Sequence, residues 1–261
     1  MLLTVDIGNT NIVIGIFKGD ELIYHWRIGT AVKYSTDEYM IKFYNLFKIA
    51  GIDYRKEIKG IIIGSVVPEL VRKIEKAYFN LTGISPVIAD VNLDWGMKIR
   101  YDIPSQVGVD RLLNSLAAKK LYGIPTLIVD FGTATTIDVV SEEGNYEGGT
   151  ISPGINISTE ALFEKTAKLP HISIAIPKRV LGKNTVESMR SGILLGTAGQ
   201  VKYLIEKIKE ENPSLKKSKI IFTGGFSRLM EKILDFLNPI IDPFLTLKGL
   251  KLLYYKNNSQ S

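Results

Sequence analysis

The first thirty residues alternate short Ile- and Val-rich runs with Gly and Asp: LLTVDIG, NIVIGIFKG and ELIYHWRIG, the last two divided around Gly19-Asp20. Runs of this length, broken by turn residues, predict a three-stranded meander. The period then changes. Ser35 and Glu38 form a possible capping box, and Tyr39, Phe43, Leu46, Phe47 and Ala50 recur at helical spacing, which predicts a helix ending near Gly51. GIIIGSVV reads as a buried strand, and Pro68 suits the first turn of a helix carrying Leu70, Val71, Ile74, Tyr78 and Leu81.

The same alternation returns later. TLIVDFGTATTIDVVSEEGNYEGGTI predicts a strand, a turn and a hairpin through Glu143-Gly144. A long helical stretch from about Thr185 to Asn212 stops before Pro213, and KIIFTGG is a further strand, feeding Gly224-Gly225 and an amphipathic helix. Two α/β halves follow, residues 1–115 and 116–261, each opened by an apolar-Asp-apolar-Gly run: VDIGNTN at Val5 to Asn11 and VDFGTAT at Val129 to Thr135.

Composition narrows the class. With 261 residues, 45% of them hydrophobic, the chain can bury a sizeable core in one large domain or two small ones. Its 33 basic and 27 acidic residues leave a net charge of +6 with no strongly basic block, so nucleic acid is not implied. There are no cysteines, which removes disulfides, thiolate metal sites and Cys nucleophiles. MLLTVDIGNT has neither the basic nor the long apolar part of a signal peptide, and no run approaches a membrane span. A cytoplasmic protein is expected, and the Asn-x-Ser/Thr triplets at Asn80, Asn156 and Asn257 read as chance matches.

The repeated Asp-x-Gly carries the chemistry. A single one after a strand is an ordinary turn, but two, at Asp6-Gly8 and Asp130-Gly132, suggest a pair of phosphate-facing hairpins. Phosphate oxygens favour bare backbone N–H groups, and Mg²⁺ takes hard oxygen ligands. Asp-x-Gly-x-Thr supplies carboxylate, open backbone and hydroxyl; Asn9, Thr10 and Asn11 add donors at one turn, and Thr133, Thr135 and Thr136 at the other. No Gly-x4-Gly-Lys-[Ser/Thr] and no Gly-x-Gly-x-x-Gly occurs. GVDRL, Gly108 to Leu112, sets an acid beside a base at a helix start. It reads either as a solvated helix face or, lying where a cleft between the halves would open, as a proton acceptor beside an anion clamp. TGG, Thr223 to Gly225, reads equally as a strand-to-helix turn or as a close backbone approach to a base or sugar. His25 and His171 have no metal-ligand spacing, and no Gly-x-Ser-x-Gly elbow is present.

Taken together, DIGNTN from Asp6, GVDR from Gly108, DFGTAT from Asp130, GGTISPG at Gly148 to Gly154 and DPFLTLKGL from Asp242 resemble the type III pantothenate kinase family. That family lies in the acetate and sugar kinase, Hsp70 and actin superfamily, and its motifs run in order over nearly the whole chain. The resemblance implies two similar ribonuclease H-like (actin-like ATPase) domains with a cleft between them. It also implies ATP-dependent phosphorylation of pantothenate to 4′-phosphopantothenate, the first step towards coenzyme A. By motif, Asp6, Ile7, Gly8, Asn9, Thr10, Asn11, Ile12 and Val13 would wrap the ATP phosphates, with Asp6 near Mg²⁺, and Thr133 would contact the nucleotide. Asp110 would be the general base. Gly108, Val109, Asp110 and Arg111 would form the pantothenate site with Tyr101 and Thr185. Asp130 would bind a monovalent cation, K⁺ or NH₄⁺. A homodimer is expected by the same analogy, and the polar end of GLKLLYYKNNSQS is expected to be disordered.

Two other readings share the Asp-x-Gly loops. A chaperone-like or filament-like ATPase would leave Gly108 to Arg111 without an obvious task, and the length weighs against an Hsp70, which would require a peptide-binding domain. A regulatory protein would need a helix-turn-helix or basic patch, and neither is recognisable.

Overall fold

The computed structural model describes residues 1–258. In chain order the elements are β1 (Leu2–Ile7), β2 (Asn11–Lys18), β3 (Glu21–Gly29), α1 (Thr36–Ala50), α2 (Tyr54–Glu57), β4 (Gly60–Ser65), α3 (Pro68–Thr82), β5 (Val87–Ile88) and α4 (Val109–Tyr122). There follow β6 (Thr126–Phe131), β7 (Ala134–Val140), β8 (Tyr146–Pro153), α5 (Ile155–Lys165), α6 (Thr185–Glu211), β9 (Lys219–Thr223), α7 (Ser227–Glu231), β10 (Ile240–Ile241) and α8 (Leu245–Asn258). The chain divides into two compact units. One comprises Met1–Met97, Asp102–Ala117 and the chain from Leu245; the other comprises Lys98–Tyr101 and Ala118–Phe244. The expected second half, 116–261, thus gives up its last segment: α8 belongs with the first unit.

In the first unit the sheet order is β3-β2-β1-β4-β5, with β1 antiparallel to β2 and parallel to β4. Alternation along β1 decides what each face meets. Leu3, Val5 and Ile7 join Ile12, Ile14, Ile61 and Ile63 in a core closed by Tyr39, Phe43 and Phe47 of α1 and by Leu70, Ile74 and Tyr78 of α3. The expected capping box is present, with Ser35 and Glu38 each satisfying the other's backbone N–H, and Gly51 ends α1 in the left-handed conformation. Asp6 points to the opposite face with Thr4, where α8 lies against β1, β2 and β4. Glycines make that approach possible: a methyl group on Gly60 would fall 2.2 Å from the Tyr254 hydroxyl, and one on Gly249 would fall 2.3 Å from the Leu113 carbonyl oxygen.

The second unit has the same plan, in the order β8-β7-β6-β9-β10, with β6 antiparallel to β7 and parallel to β9. Leu127, Val129 and Phe131 face a core shared with α6 through Met189, Ile193, Leu194, Ala198, Val201 and Ile205. Asp130, Thr136 and Asp138 point to the other face. The helix expected after TGG is only the five residues of α7, after which the chain passes through a turn into the 3-10 turn Asp235–Leu237, itself ended by Asn238 in the left-handed region. The C-terminal polar residues expected to be disordered are helical as far as Asn258, and Ser259 to Ser261 lie outside the described residues. Among the described residues no helix is long and apolar enough to cross a membrane.

Candidate active site

Each sheet's first strand delivers a carboxylate next to a hairpin turn. Asp6, half-buried, is paired with Val13 and Gly64. The turn after it is closed by the Gly8 N–H donating to the Asn11 carbonyl at 3.0 Å, with the Thr30 hydroxyl donating to the Gly8 carbonyl at 2.7 Å. Asn9 and Thr10 stand exposed at the tip and Asn11 is half-buried, so this turn has side chains and backbone to offer a ligand. Ile7 and Ile12 are fully buried in the core, which leaves them only backbone to contribute, while Val13 is half-buried beside Asp6.

The second hairpin repeats this. Asp130 pairs with Thr136 and Thr223, and the Gly132 N–H donates to the Ala134 carbonyl at 3.1 Å, with Thr133 half-buried at the turn. Two backbone segments press on it. A methyl group on Gly224 would lie 2.3 Å from Asp130 Oδ1, and one on Gly154 would lie 2.2 Å from the Thr133 carbonyl oxygen. Gly224 holds φ near +83°, a conformation that other residues adopt with strain. TGG therefore brings bare backbone against Asp130. The sequence offers TGG a close backbone approach to a base or sugar as one of its two readings and gives Gly154 no contact; that these glycines press on Asp130 and Thr133 is decided by the fold.

GVDR is the start of α4. Asp110 lies in the first helical turn, where the helix dipole favours a carboxylate, and Oδ1 accepts the Arg111 backbone N–H at 2.8 Å. Burial pushes its carboxyl above the ordinary carboxylate range, opposed by that N–H and by the Arg111 guanidinium. Arg111 itself is 6% exposed. Gly108 has Asp110 Oδ1 close by, so a side chain at 108 would crowd the carboxylate. Val109 ties this helix start to the Asp6 strand: a methyl group on Gly64, the residue paired with Asp6, would lie 3.5 Å from Val109 Cγ1. Asp6 and Asp110 are thus supplied by neighbouring elements of one unit.

Tyr101 and Thr185 belong to the other unit. Tyr101 is 37% exposed, and Thr185 opens α6 beside a groove of about 720 Å³ between α5 and α6, lined also by Leu162, Leu169, Met189 and Ile193. His25 lies exposed on β3, and His171 meets the ring of Phe163 edge-on. Among the described residues there is no cluster of three or more His, Asp or Glu that could hold a metal alone.

Comparisons with known proteins bear on the fold and the family. Among solved structures, MreB 5 of Spiroplasma citri bound to AMPPNP superposes with a TM-score of 0.56 at 12% identity, over 98% of this chain and 96% of that one, a likeness of fold: two actin-like, ribonuclease H-like domains. A type III pantothenate kinase of Finegoldia magna is 48% identical over 97% of this chain and 96% of its own length. That of Halalkalibacterium halodurans is 44% identical over 98% of this chain and all of its own. The model of the type III pantothenate kinase family matches residues 2–207. Duplicated Asp-bearing hairpins, an aspartate at the head of α4 and full-length similarity lead to one conclusion: the chain belongs to the type III pantothenate kinase family.

Proposed function

We propose that Asp110 is the general base of this kinase, and that the Asp6 and Asp130 hairpins divide the phosphates and a monovalent cation between them. As a type III pantothenate kinase the chain transfers a phosphoryl group from ATP to the hydroxyl of pantothenate, giving 4′-phosphopantothenate on the way to coenzyme A. Phosphoryl transfer demands alignment and charge stabilisation from the protein more than covalent chemistry. The observation that carries the residue roles is the site's pair of distinct carboxylates: Asp6 beside an open Gly8 turn, Asp110 partly withdrawn from water at a helix start.

Asp110 accepts the pantothenate hydroxyl proton as that oxygen bonds to the γ-phosphorus and the bond to the β-phosphate bridge breaks. A carboxyl raised by burial is a better proton acceptor than an ordinary one. Arg111 holds charge beside it, while Gly108 keeps the approach clear. The backbone of Ile7 to Val13 would cradle phosphate oxygens, and Thr133 would contact the nucleotide. Asp6 would hold Mg²⁺ together with those oxygens, which suits an ion usually bound by one or two carboxylates plus substrate phosphates. The ion supplies neutralisation of the phosphate charge.

Asp130 would hold K⁺ or NH₄⁺. The fit rests on its donor set: a half-buried carboxylate pressed by the bare backbone at Gly224, in a hairpin whose Gly132 and Thr133 carbonyl oxygens crowd Gly154. Thr185 and Tyr101 would contact pantothenate, and the apolar groove beside Thr185 suits its dimethyl portion. A homodimer in the cytoplasm completes the proposal, on family resemblance.

The test is ATP consumption by the purified chain with pantothenate, with and without K⁺. Turnover that requires pantothenate and rises with K⁺ is expected; none in either salt would refute the proposal.

A further inference from the structure

Just ahead of the α4 segment, Lys98 to Tyr101 forms an extra edge on the second unit's sheet. Ile99 bridges Tyr146 in parallel. The Tyr146 N–H donates to the Lys98 carbonyl at 3.0 Å, and the Arg100 N–H donates to the Tyr146 carbonyl at 2.8 Å. The Lys98 N–H reaches Asn145 Oδ1 at 3.1 Å. A β-bulge adds to this grip: Val139 pairs with Gly148 and Val140 with Tyr146, so Glu147 is the extra residue, and its carboxylate meets Arg100 at 3.3 Å.

The strap ends on Tyr101, whose ring lies over Gly148. A methyl group built there would be 3.6 Å from two ring carbons, and Gly148 has φ near +104°, so the platform is bare backbone in a conformation that favours glycine. The Tyr101 ring also lies 6.4 Å from that of Tyr146, centroid to centroid. Tyr146 is fully buried and locked: its hydroxyl donates to Asp138 Oδ1 at 2.9 Å, and the other oxygen of that buried carboxylate accepts the Thr136 hydroxyl at 3.1 Å. Thr136 is three residues after Thr133 on the same hairpin.

We propose that Gly148 and Tyr146 are positioning residues that hold the Tyr101 ring ready for pantothenate. This rests on the reading of Tyr101 as a pantothenate contact. An exposed tyrosine on irregular chain loses rotamer freedom on binding, and a ring already held by a backbone platform and a buried neighbour loses less. Asp138 fixes Tyr146 from behind, so the device is anchored on the strand that also bears Thr136.

Steady-state kinetics of Tyr101→Ala, Gly148→Ala and the double variant test it. Gly148→Ala is expected to raise KM for pantothenate by about 5- to 10-fold, with kcat and KM for ATP changed by less than about 2-fold. The double variant should be no worse than Tyr101→Ala alone, a non-additivity that a merely structural role would not produce. Tyr146→Phe, which keeps the ring and loses the hydroxyl, should give a smaller rise of the same kind, and it carries the test if Gly148→Ala does not fold. If Tyr101→Ala raises KM for pantothenate but neither Gly148→Ala nor Tyr146→Phe does, or if the effects add, the positioning role is wrong and the Tyr101 reading stands. If Tyr101→Ala leaves KM unchanged, both fall.

Discussion

Two aspartates of one unit are proposed for separate tasks because their surroundings differ. Asp6 ends a strand beside open turn backbone, whereas Asp110 is partly withdrawn from water at the head of α4. Asp110→Asn should lower kcat by about 10²- to 10⁴-fold while leaving nucleotide affinity nearly unchanged, as stopped-assay kinetics and ATP titration would establish. The pH dependence follows from the raised carboxyl. Its contribution to folding stability is fully present below the ordinary carboxylate range and is lost as pH rises through the raised value. Activity runs the other way, since only the carboxylate accepts a proton, so kcat/KM should fall on the acid side at a pH above that range. Arg111→Ala removes a charge that lowers the Asp110 pKa and should move this acid limb to higher pH; an unmoved limb would exclude the guanidinium as its partner. Asp130→Ala should abolish most of the K⁺ activation, read as turnover against K⁺ concentration.

Helix packing turns on single glycines at the next scale. Gly249 of α8 meets the Leu113 backbone of α4, where a methyl group would lie 2.3 Å from a carbonyl oxygen that cannot swing aside. Alanine favours a helix by about 1 kcal/mol over glycine, but overpacking of this kind costs about 1–3 kcal/mol. Gly249→Ala should therefore be neutral to destabilising by up to about 2 kcal/mol in urea unfolding. In α6 the same exchange should reverse sign. Nothing lies within 4 Å of a methyl group at Gly199, so Gly199→Ala should stabilise by about 0.5–1 kcal/mol in the same measurement.

At the scale of the molecule, the two units carry the same sheet plan with separate cores, and the hairpin proposed to bind the nucleotide or its cation is the first turn of each sheet. A ligand that binds only the folded chain stabilises it by about 2.7 kcal/mol at one hundred times its Kd. For a chain of this size that is a rise in Tm on the order of 5–10 °C. ATP with Mg²⁺ should produce such a shift in thermal unfolding, and Asp6→Ala should remove most of it. Sedimentation should give about twice the 29.1 kDa of one chain if the homodimer forms.

What the sequence determined by itself was everything fixed by local periodicity and by residue type. The meander, the Ser35–Glu38 capping box, the long α6 and the twin Asp-x-Gly hairpins were legible because alternation, spacing and turn chemistry act over a few residues. The motifs GVDR and DFGTAT likewise supplied the residues proposed for the site. Tertiary structure alone decided the rest. Helix α8 was hidden because Leu245, Leu247, Gly249, Leu250, Lys251 and Leu253 are all buried, so its apolar positions form no single stripe. It returns to the first unit because the face bearing Thr4 and Asp6 needs cover, a need that no local pattern expresses. The backbone pressing on Asp130 from Gly224, and the platform under Tyr101 at Gly148, join residues far apart in sequence. Their closeness is a property of chain folding, and glycine marks such places in the sequence without naming what approaches.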